Sequence, residues 1–356
     1  MKILHVITSL RTGGAEKLMV DLLPRLKAAG HQIDLLLFDG TETPFKRQLE
    51  QSDIKIYDLG IGGSVYSLIK FVKLLPYLKK YDIIHTHNTA PQLFSVIGNM
   101  FHKTYLLTTE HGGSNRRRKL KWYAPIDRWM YNHYKRVICI SEKAEVNLRQ
   151  FIGESKTDIM TINTGVDIKK YSEAMASPEL ENKVPGSRKL IMIAGFRWEK
   201  DQPTIIKALK YLPANFHLFL VGDGARRSEL EKLAEMENVS DRVHFLGLRS
   251  DVPELLHAAD YVIMSSHFEG LSLSSVEGMC VGKPFLASDV DGLREVVKGA
   301  GILFPHEDSK ALANEILRLE SNPDLYKSVA ESCRERASQF DISKMVDGYL
   351  KVYNSI

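Results

Sequence analysis

Two carboxylates, Glu269 and Glu277, stand eight positions apart in the stretch Phe268-Glu269-Gly270-Leu271-Ser272-Leu273-Ser274-Ser275-Val276-Glu277-Gly278-Met279. The pattern around them predicts a strand over 261–264, a glycine turn, and a helix over 272–281. A helix start presents unpaired backbone N–H groups and the positive end of the macrodipole, so it attracts anions. A carboxylate just before such a start and another about one turn inside suit the hydroxyls of a sugar and of a ribose. A diphosphate would lie between them. That is the chemistry of a sugar nucleotide. A plainer reading uses the same residues: Ser274-x-x-Glu277 has the spacing of a capping box, and Glu269 is then a solvated loop residue.

Other short segments add chemistry at predicted strand ends. Gly195-Phe196-Arg197-Trp198-Glu199-Lys200-Asp201 follows a strand, and its Arg197 and Lys200 suit a diphosphate, or else are solvated surface charge. Thr12-Gly13-Gly14-Ala15-Glu16 joins a first strand to a first helix. Its paired glycines allow close approach of backbone to a phosphate or sugar, or form a plain tight turn. Thr109-Glu110-His111-Gly112-Gly113 places a histidine at another strand end. Val221-Gly222-Asp223-Gly224 reads as an architectural turn. His85-Thr86-His87 puts two imidazoles on one strand face, with no third ligand nearby in sequence, so no metal site is expected. Asp289-Val290-Asp291 precedes Gly292 and reads as a turn rather than a metal-holding D-x-D. The dinucleotide fingerprint G-x-G-x-x-G is absent, as are P-loop, H-E-x-x-H and G-x-S-x-G patterns.

Strand and helix patterns alternate almost throughout, which predicts parallel sheets covered on both faces. Strand-like segments cover residues 2–8, 32–38, 55–59, 83–86, 105–109, 136–140 and 158–162. The helical stripe Ala15, Leu18, Met19, Leu22, Leu23, Leu26 follows the first of them and closes at Gly30. Alternation lapses over the polar stretch 169–188, with Pro178, Pro185 and Gly186, which reads as an interdomain linker. A second series runs through 189–194, 216–221, 243–246, 261–264, 284–287 and 302–304. Two open α/β domains are expected to turn the carboxyl ends of their strands toward a shared cleft.

The 356 residues suit two domains, with the hydrophobic and charged fractions of a soluble globular protein. No apolar run approaches the roughly 20 residues of a spanning helix. Residues 1–7 read as a buried strand rather than a signal peptide. The three cysteines, Cys139, Cys280 and Cys333, are scattered, which argues against a disulfide framework or structural zinc and for a reducing cytoplasm. A net charge of +4 is too mild to imply nucleic acid. Its distribution is more telling: Arg116-Arg117-Arg118-Lys119 with Lys121, Trp122 and Tyr123 forms a basic aromatic run, and Lys70, Lys73, Lys79 and Lys80 punctuate an apolar helix. These features suit an anionic membrane surface or a lipid-linked substrate, or else are ordinary solvated faces.

Taken in order, these segments resemble glycosyltransferase family 4, retaining enzymes of the GT-B type. Glu269-x7-Glu277 is similar to the family's E-x7-E motif. Asp82-Ile83-Ile84-His85-Thr86-His87, Thr109-Glu110-His111-Gly112, Asn163-Thr164-Gly165-Val166-Asp167 and Val221-Gly222-Asp223-Gly224 also match family segments. The resemblance spans essentially the whole chain. It implies an α/β GT-B architecture of two Rossmann-like, doubly wound domains facing a central cleft. The expected divisions are an acceptor domain over 1–170, a linker over 171–188, a nucleotide-sugar domain over 189–338, and a C-terminal helix over 339–356 packing back on the first domain.

The resemblance implies roles as well. Glu269 would contact the transferred sugar and Glu277 the ribose. Gly270, Leu271 and Ser272 would offer backbone N–H groups, Lys200 would bind the diphosphate, and His111 would sit near the anomeric centre. Glu269, His111 and Lys200 are the expected catalytic residues. Gly14 joins the donor site, and Gly13, Gly14 and His111 the acceptor site. One departure stands out: the family usually has Arg five residues before Lys200, where this chain has Gly195. Arg197 is the candidate replacement.

The implied function is retaining transfer of a hexosyl unit from a nucleoside-diphosphate sugar to a saccharide or lipid-linked acceptor in glycan or polysaccharide biosynthesis. A UDP-sugar is the favoured donor and GDP-mannose the alternative. No cofactor, metal or nucleic acid is expected, and the location is cytoplasmic, with peripheral membrane association. A non-hydrolysing sugar-nucleotide epimerase and a non-catalytic sugar-nucleotide-binding protein are the other readings.

Overall fold

In the computed structural model, which describes all residues other than 12, 112–122 and 271, the strands form two parallel sheets. The chain divides into two compact units. One comprises Met1–Thr164 with Ser343–Ile356, the other Gly165–Ile342.

The first unit holds a seven-stranded sheet built from β1 (Lys2–Ile7), β2 (Gln32–Leu37), β3 (Lys55–Asp58), β4 (Ile83–His87), β5 (Tyr105–Glu110), β6 (Arg136–Cys139) and β7 (Asp158–Thr161). Their order is β3-β2-β1-β4-β5-β6-β7. β1 and β4 are near-continuous apolar or buried runs, as a strand covered on both faces requires. The final helix, Ile342–Asn354, lies almost wholly in this unit and buries Tyr349 and Tyr353.

The second unit holds a six-stranded sheet of β8 (Arg188–Ile193), β9 (Phe216–Val221), β10 (Val243–Gly247), β11 (Tyr261–Met264), β12 (Phe285–Ser288) and β13 (Ile302–Phe304). The order is β10-β9-β8-β11-β12-β13. The helix Leu273–Cys280 packs close to β11 and β12 because Gly278 has no side chain. A Cβ there would lie 2.7 Å from Val262 and 2.9 Å from Phe285.

The stretch expected as a linker is more structured than its composition suggests. It carries the short helices Ile168–Ser172 and Pro178–Lys183, capped by Asp167 and Ser177. Tyr171 and Leu180 are buried in the second unit's core. Two apolar anchors among polar residues are too sparse a stripe to read as helix from sequence.

Candidate functional site

In an open parallel sheet, ligands favour the carboxyl ends of the strands where the strand order reverses. In the second unit that point lies between β8 and β11. β8 leads into Gly195 and a 3-10 turn, Trp198–Lys200; β11 leads into Ser265, Ser266 and Glu269. The two loops meet in an ion pair. Lys200 Nζ donates to Glu269 Oε1 at 2.5 Å, with the side chains 17% and 11% exposed. Ser266 Oγ donates to the same oxygen at 2.7 Å. Ser265 Oγ donates to the Asp201 carbonyl at 2.7 Å, and Ser288 Oγ to the Ser266 carbonyl at 2.6 Å. The two loops and the end of β12 are thus laced together around the pair.

Gly292 supports this loop from beneath. Its φ is +84°, and a Cβ there would meet the Gly270 and Glu269 carbonyl oxygens at 2.2 and 2.3 Å. Asp289 and Asp291 of the D-x-D stretch face Arg294, which donates from Nε to Asp289 at 2.6 Å. They form a turn locked by an arginine.

The helix after Glu269 starts one residue later than expected. Ser272 is its N-cap, accepting from the Ser275 amide at 3.3 Å and from Ser275 Oγ at 2.8 Å. This corrects the capping-box reading of Ser274 and Glu277. With the cap at Ser272, the third helical position belongs to Ser275, and half-buried Glu277 lies further along. Gly270 is exposed, with nothing within 4 Å of where its Cβ would be. Leu271, expected to offer a backbone N–H, lies outside the described residues, as does the basic run over 116–122.

Arg197 is exposed, and its Nε lies 3.6 Å from where a Cβ of Gly195 would be. The guanidinium therefore folds back across the position where the family usually carries arginine. The Val221-Gly222-Asp223-Gly224 turn packs beneath this loop, the Asp223 carbonyl accepting from the Phe196 amide at 3.0 Å.

In the first unit the order reverses between β1 and β4. Gly13 caps the helix Gly14–Ala28. The Glu16 carboxylate lies so close over Gly13 that a Cβ there would meet it at 2.3 Å, whereas Gly14 is open. His111, just past β5, shares a hydrogen bond of 2.9 Å with His87. The chain of bonds continues: His87 to His5 at 3.0 Å, His5 to Tyr353 at 3.2 Å, Tyr353 to His85 at 2.6 Å, and His85 to Thr109 at 2.8 Å. Thr109 meets Tyr349 at 3.2 Å. Burial pushes His5 down to about 3 and His111 down to about 4, and holds His85 and His87 well below the usual range. The imidazoles are neutral, and direct hydrogen bonds rather than charge organise them.

This chain shows what sequence reading missed. His5 is the third imidazole beside His85 and His87, and its ligand-type nitrogen lies within 4.8 Å of theirs. It comes from β1, paired in register with His85 of β4. The only sequence signal was a histidine inside an otherwise apolar strand. Ser266 and Ser288 were missed too, as small hydroxyls without a distinctive pattern. The structure brings Lys200, Glu269 and the Ser272 cap together in the second unit. It places Gly13, Gly14 and His111 in the first.

Comparison with known proteins follows the same division. The model for Glycosyltransferase Family 4 matches residues 12–170, and that for Glycosyl transferases group 1 matches residues 176–336. The UDP-Gal:alpha-D-GlcNAc-diphosphoundecaprenol alpha-1,3-galactosyltransferase of Escherichia coli is 25% identical, the match covering 99% of this chain and 96% of that protein. The crystal structure of Anabaena Alr3699/HepE in complex with UDP superposes with a TM-score of 0.88 at 24% identity, covering 100% of both chains. The same protein with UDP-glucose gives 0.85 at 25% identity, again over 100% of both. These neighbours share the GT-B architecture of two Rossmann-like domains.

Proposed function

The chain belongs to glycosyltransferase family 4, and from that membership we propose that it transfers a sugar from a UDP-sugar to a lipid-linked saccharide with retention of anomeric configuration. The observation that carries the reading is the Lys200–Glu269 pair at the switch point of the second sheet, beside a helix start capped by Ser272. Lys200, with Arg197 alongside, supplies positive charge to the leaving diphosphate, and the helix start adds oriented N–H groups. Glu269 receives hydroxyls of the transferred sugar, and Glu277 those of the ribose. His111, neutral and held by His87, donates or accepts a hydrogen bond near the reacting sugar without adding a charge. Gly13 and Gly14 let backbone approach the acceptor or the donor phosphates. The leaving phosphate takes the acceptor's proton as the new glycosidic bond forms on the face the diphosphate leaves, so the enzyme supplies no nucleophile. With protein groups meeting the diphosphate charge, no bridging magnesium or manganese is required.

The donor preference follows the Anabaena neighbour, solved with UDP and UDP-glucose. The acceptor class follows the E. coli relative, whose acceptor is an undecaprenyl diphosphate-linked sugar. A membrane-facing surface fits such an acceptor. The helix Leu68–Leu78 exposes Leu68, Ile69 and Val72, and Lys79 and Lys80 follow its end. Two of the four lysines expected to punctuate this helix are engaged internally: buried Lys70 donates to the Gly62 carbonyl and Lys73 to the Leu59 carbonyl. Docking therefore rests on the apolar residues with Lys79 and Lys80.

Calorimetric titration of UDP and GDP into the folded protein tests the donor assignment. UDP binding with no GDP binding is expected, followed by transfer from a UDP-sugar panel to undecaprenyl diphosphate-linked saccharides. NMR of the product at its anomeric carbon reads the configuration. Binding without transfer or donor hydrolysis would favour a non-catalytic role.

A further inference from the structure

A second cluster lies beside the Lys200–Glu269 pair, built from loops at the carboxyl ends of β8, β11 and β13. Asp201 is 4% exposed and holds a left-handed φ of 47°. Its Oδ2 accepts from Thr204 Oγ1 at 2.6 Å, which orients the carboxylate. His267 Nδ1 lies 2.8 Å from His306 Nε2, and Glu307 Oε1 is 3.5 Å from the same Nδ1. The ligand atoms of Asp201, His267 and His306 all fall within 4.8 Å of one another. Asp201, His267 and Glu307 border a cavity of about 450 Å³ that Lys207 and Arg226 also line, with Arg226 held by Glu229.

We propose that Asp201, His267 and His306, with Glu307 in reach of a fourth position, bind one zinc-class divalent ion that cross-links these three loops. Two imidazoles and carboxylate oxygens are a ligand set suited to zinc, copper or nickel rather than magnesium or calcium. Tetrahedral ligands at metal distances of 2.0–2.1 Å sit roughly 3.3 Å apart, so a small opening of the imidazole pair admits the ion. Thr204 already supplies the outer hydrogen bond that such carboxylates use.

The ion would act as a clamp rather than as a reactant. Asp201 follows Lys200 directly, and His267 precedes Glu269 by two residues, so both members of the pair would be tethered. That consequence rests on the donor-site reading; the metal site does not.

The test is titration of zinc into metal-free, untagged protein, followed by calorimetry and by metal analysis after gel filtration. One zinc per chain is expected, with a raised melting temperature. His306→Ala, a change at an exposed residue, should abolish uptake, and Asp201→Asn should weaken it by roughly tenfold or more. Trp198 packs against His267 with ring centres 4.4 Å apart and planes tilted by 35°, so copper should quench its emission, and Trp198→Phe should remove that quenching. Absence of uptake by folded protein overturns the proposal. So does unchanged uptake in His306→Ala, which would move the ion elsewhere, for instance to the three imidazoles of the first unit. UDP titration of the same samples separates the readings: zinc without UDP binding defeats only the donor assignment, and UDP without zinc defeats only the clamp.

Discussion

Lys200 spends its charge on Glu269 in the free protein, and that pairing shapes what each substitution should do. In the proposed donor site, a diphosphate arriving at the loop would compete with a carboxylate for the same ammonium. Lys200→Ala should lower turnover by roughly 10²–10³, the scale of losing one preorganised electrostatic partner in a transition state. Steady-state rates on a UDP-sugar check this; turnover like that of the wild type would remove Lys200 from the mechanism. Glu269→Ala should cripple transfer yet leave UDP affinity intact or slightly raised, because Lys200 is then released from its pair. Calorimetry reads that split directly, and a collapse of UDP affinity would show that Glu269 serves the nucleotide rather than the sugar.

At the scale of elements, the site depends on how closely the loops pack. The Glu269–Gly270 carbonyls rest against Gly292, which heads the helix Leu293–Val297 from a left-handed backbone conformation. Gly292→Ala adds both steric conflict with those carbonyls and conformational strain. The expected result is a loss of transfer out of proportion to the loss of stability, because the displaced segment carries Glu269. Circular dichroism melting and kinetics on one preparation decide the matter; normal activity would mean the loop tolerates the shift.

Across the whole molecule, two properties follow from buried and exposed surface. His5 and His111 keep values of about 3 and about 4, against roughly 6.5 in an unfolded chain. Between these limits the unfolded chain binds protons that the folded first unit does not, so stability rises with pH over that window. It is complete above about 6.5 and drains away as pH falls toward about 4. A melting temperature that drops between about pH 7 and about pH 5, and drops less when His5 is replaced by an apolar residue that folds, is the expected signature. The exposed Leu68, Ile69 and Val72 predict binding to vesicles containing anionic lipid, lost in a Leu68→Glu/Ile69→Glu variant. Co-sedimentation that ignores both lipid charge and these substitutions would dismiss docking by this helix.

The alternation of apolar runs with helical stripes was enough to read both parallel sheets, since fully buried strands and amphipathic helices leave periodicities that survive in one dimension. The Glu269–Glu277 spacing and the strand-end position of Lys200 were legible for the same reason: one loop and one helix turn are local. The N-cap at Ser272 was not, because Ser272 and Ser274 offer equivalent hydroxyls and only backbone geometry selects the cap. The His5–His87–His111 chain, the Lys200–Glu269 pair and the Asp201–His267–His306 cluster all join residues separated by dozens of positions. Strand order decides which loops become neighbours, and hydrogen-bond distances decide which side chains meet. Period thus determined the two parallel-sheet α/β units, local motif spacing the candidate residues, and the family resemblance the chemistry expected of them. The tertiary structure alone decided the partners, because a contact between distant segments leaves no repeat in the sequence that encodes it.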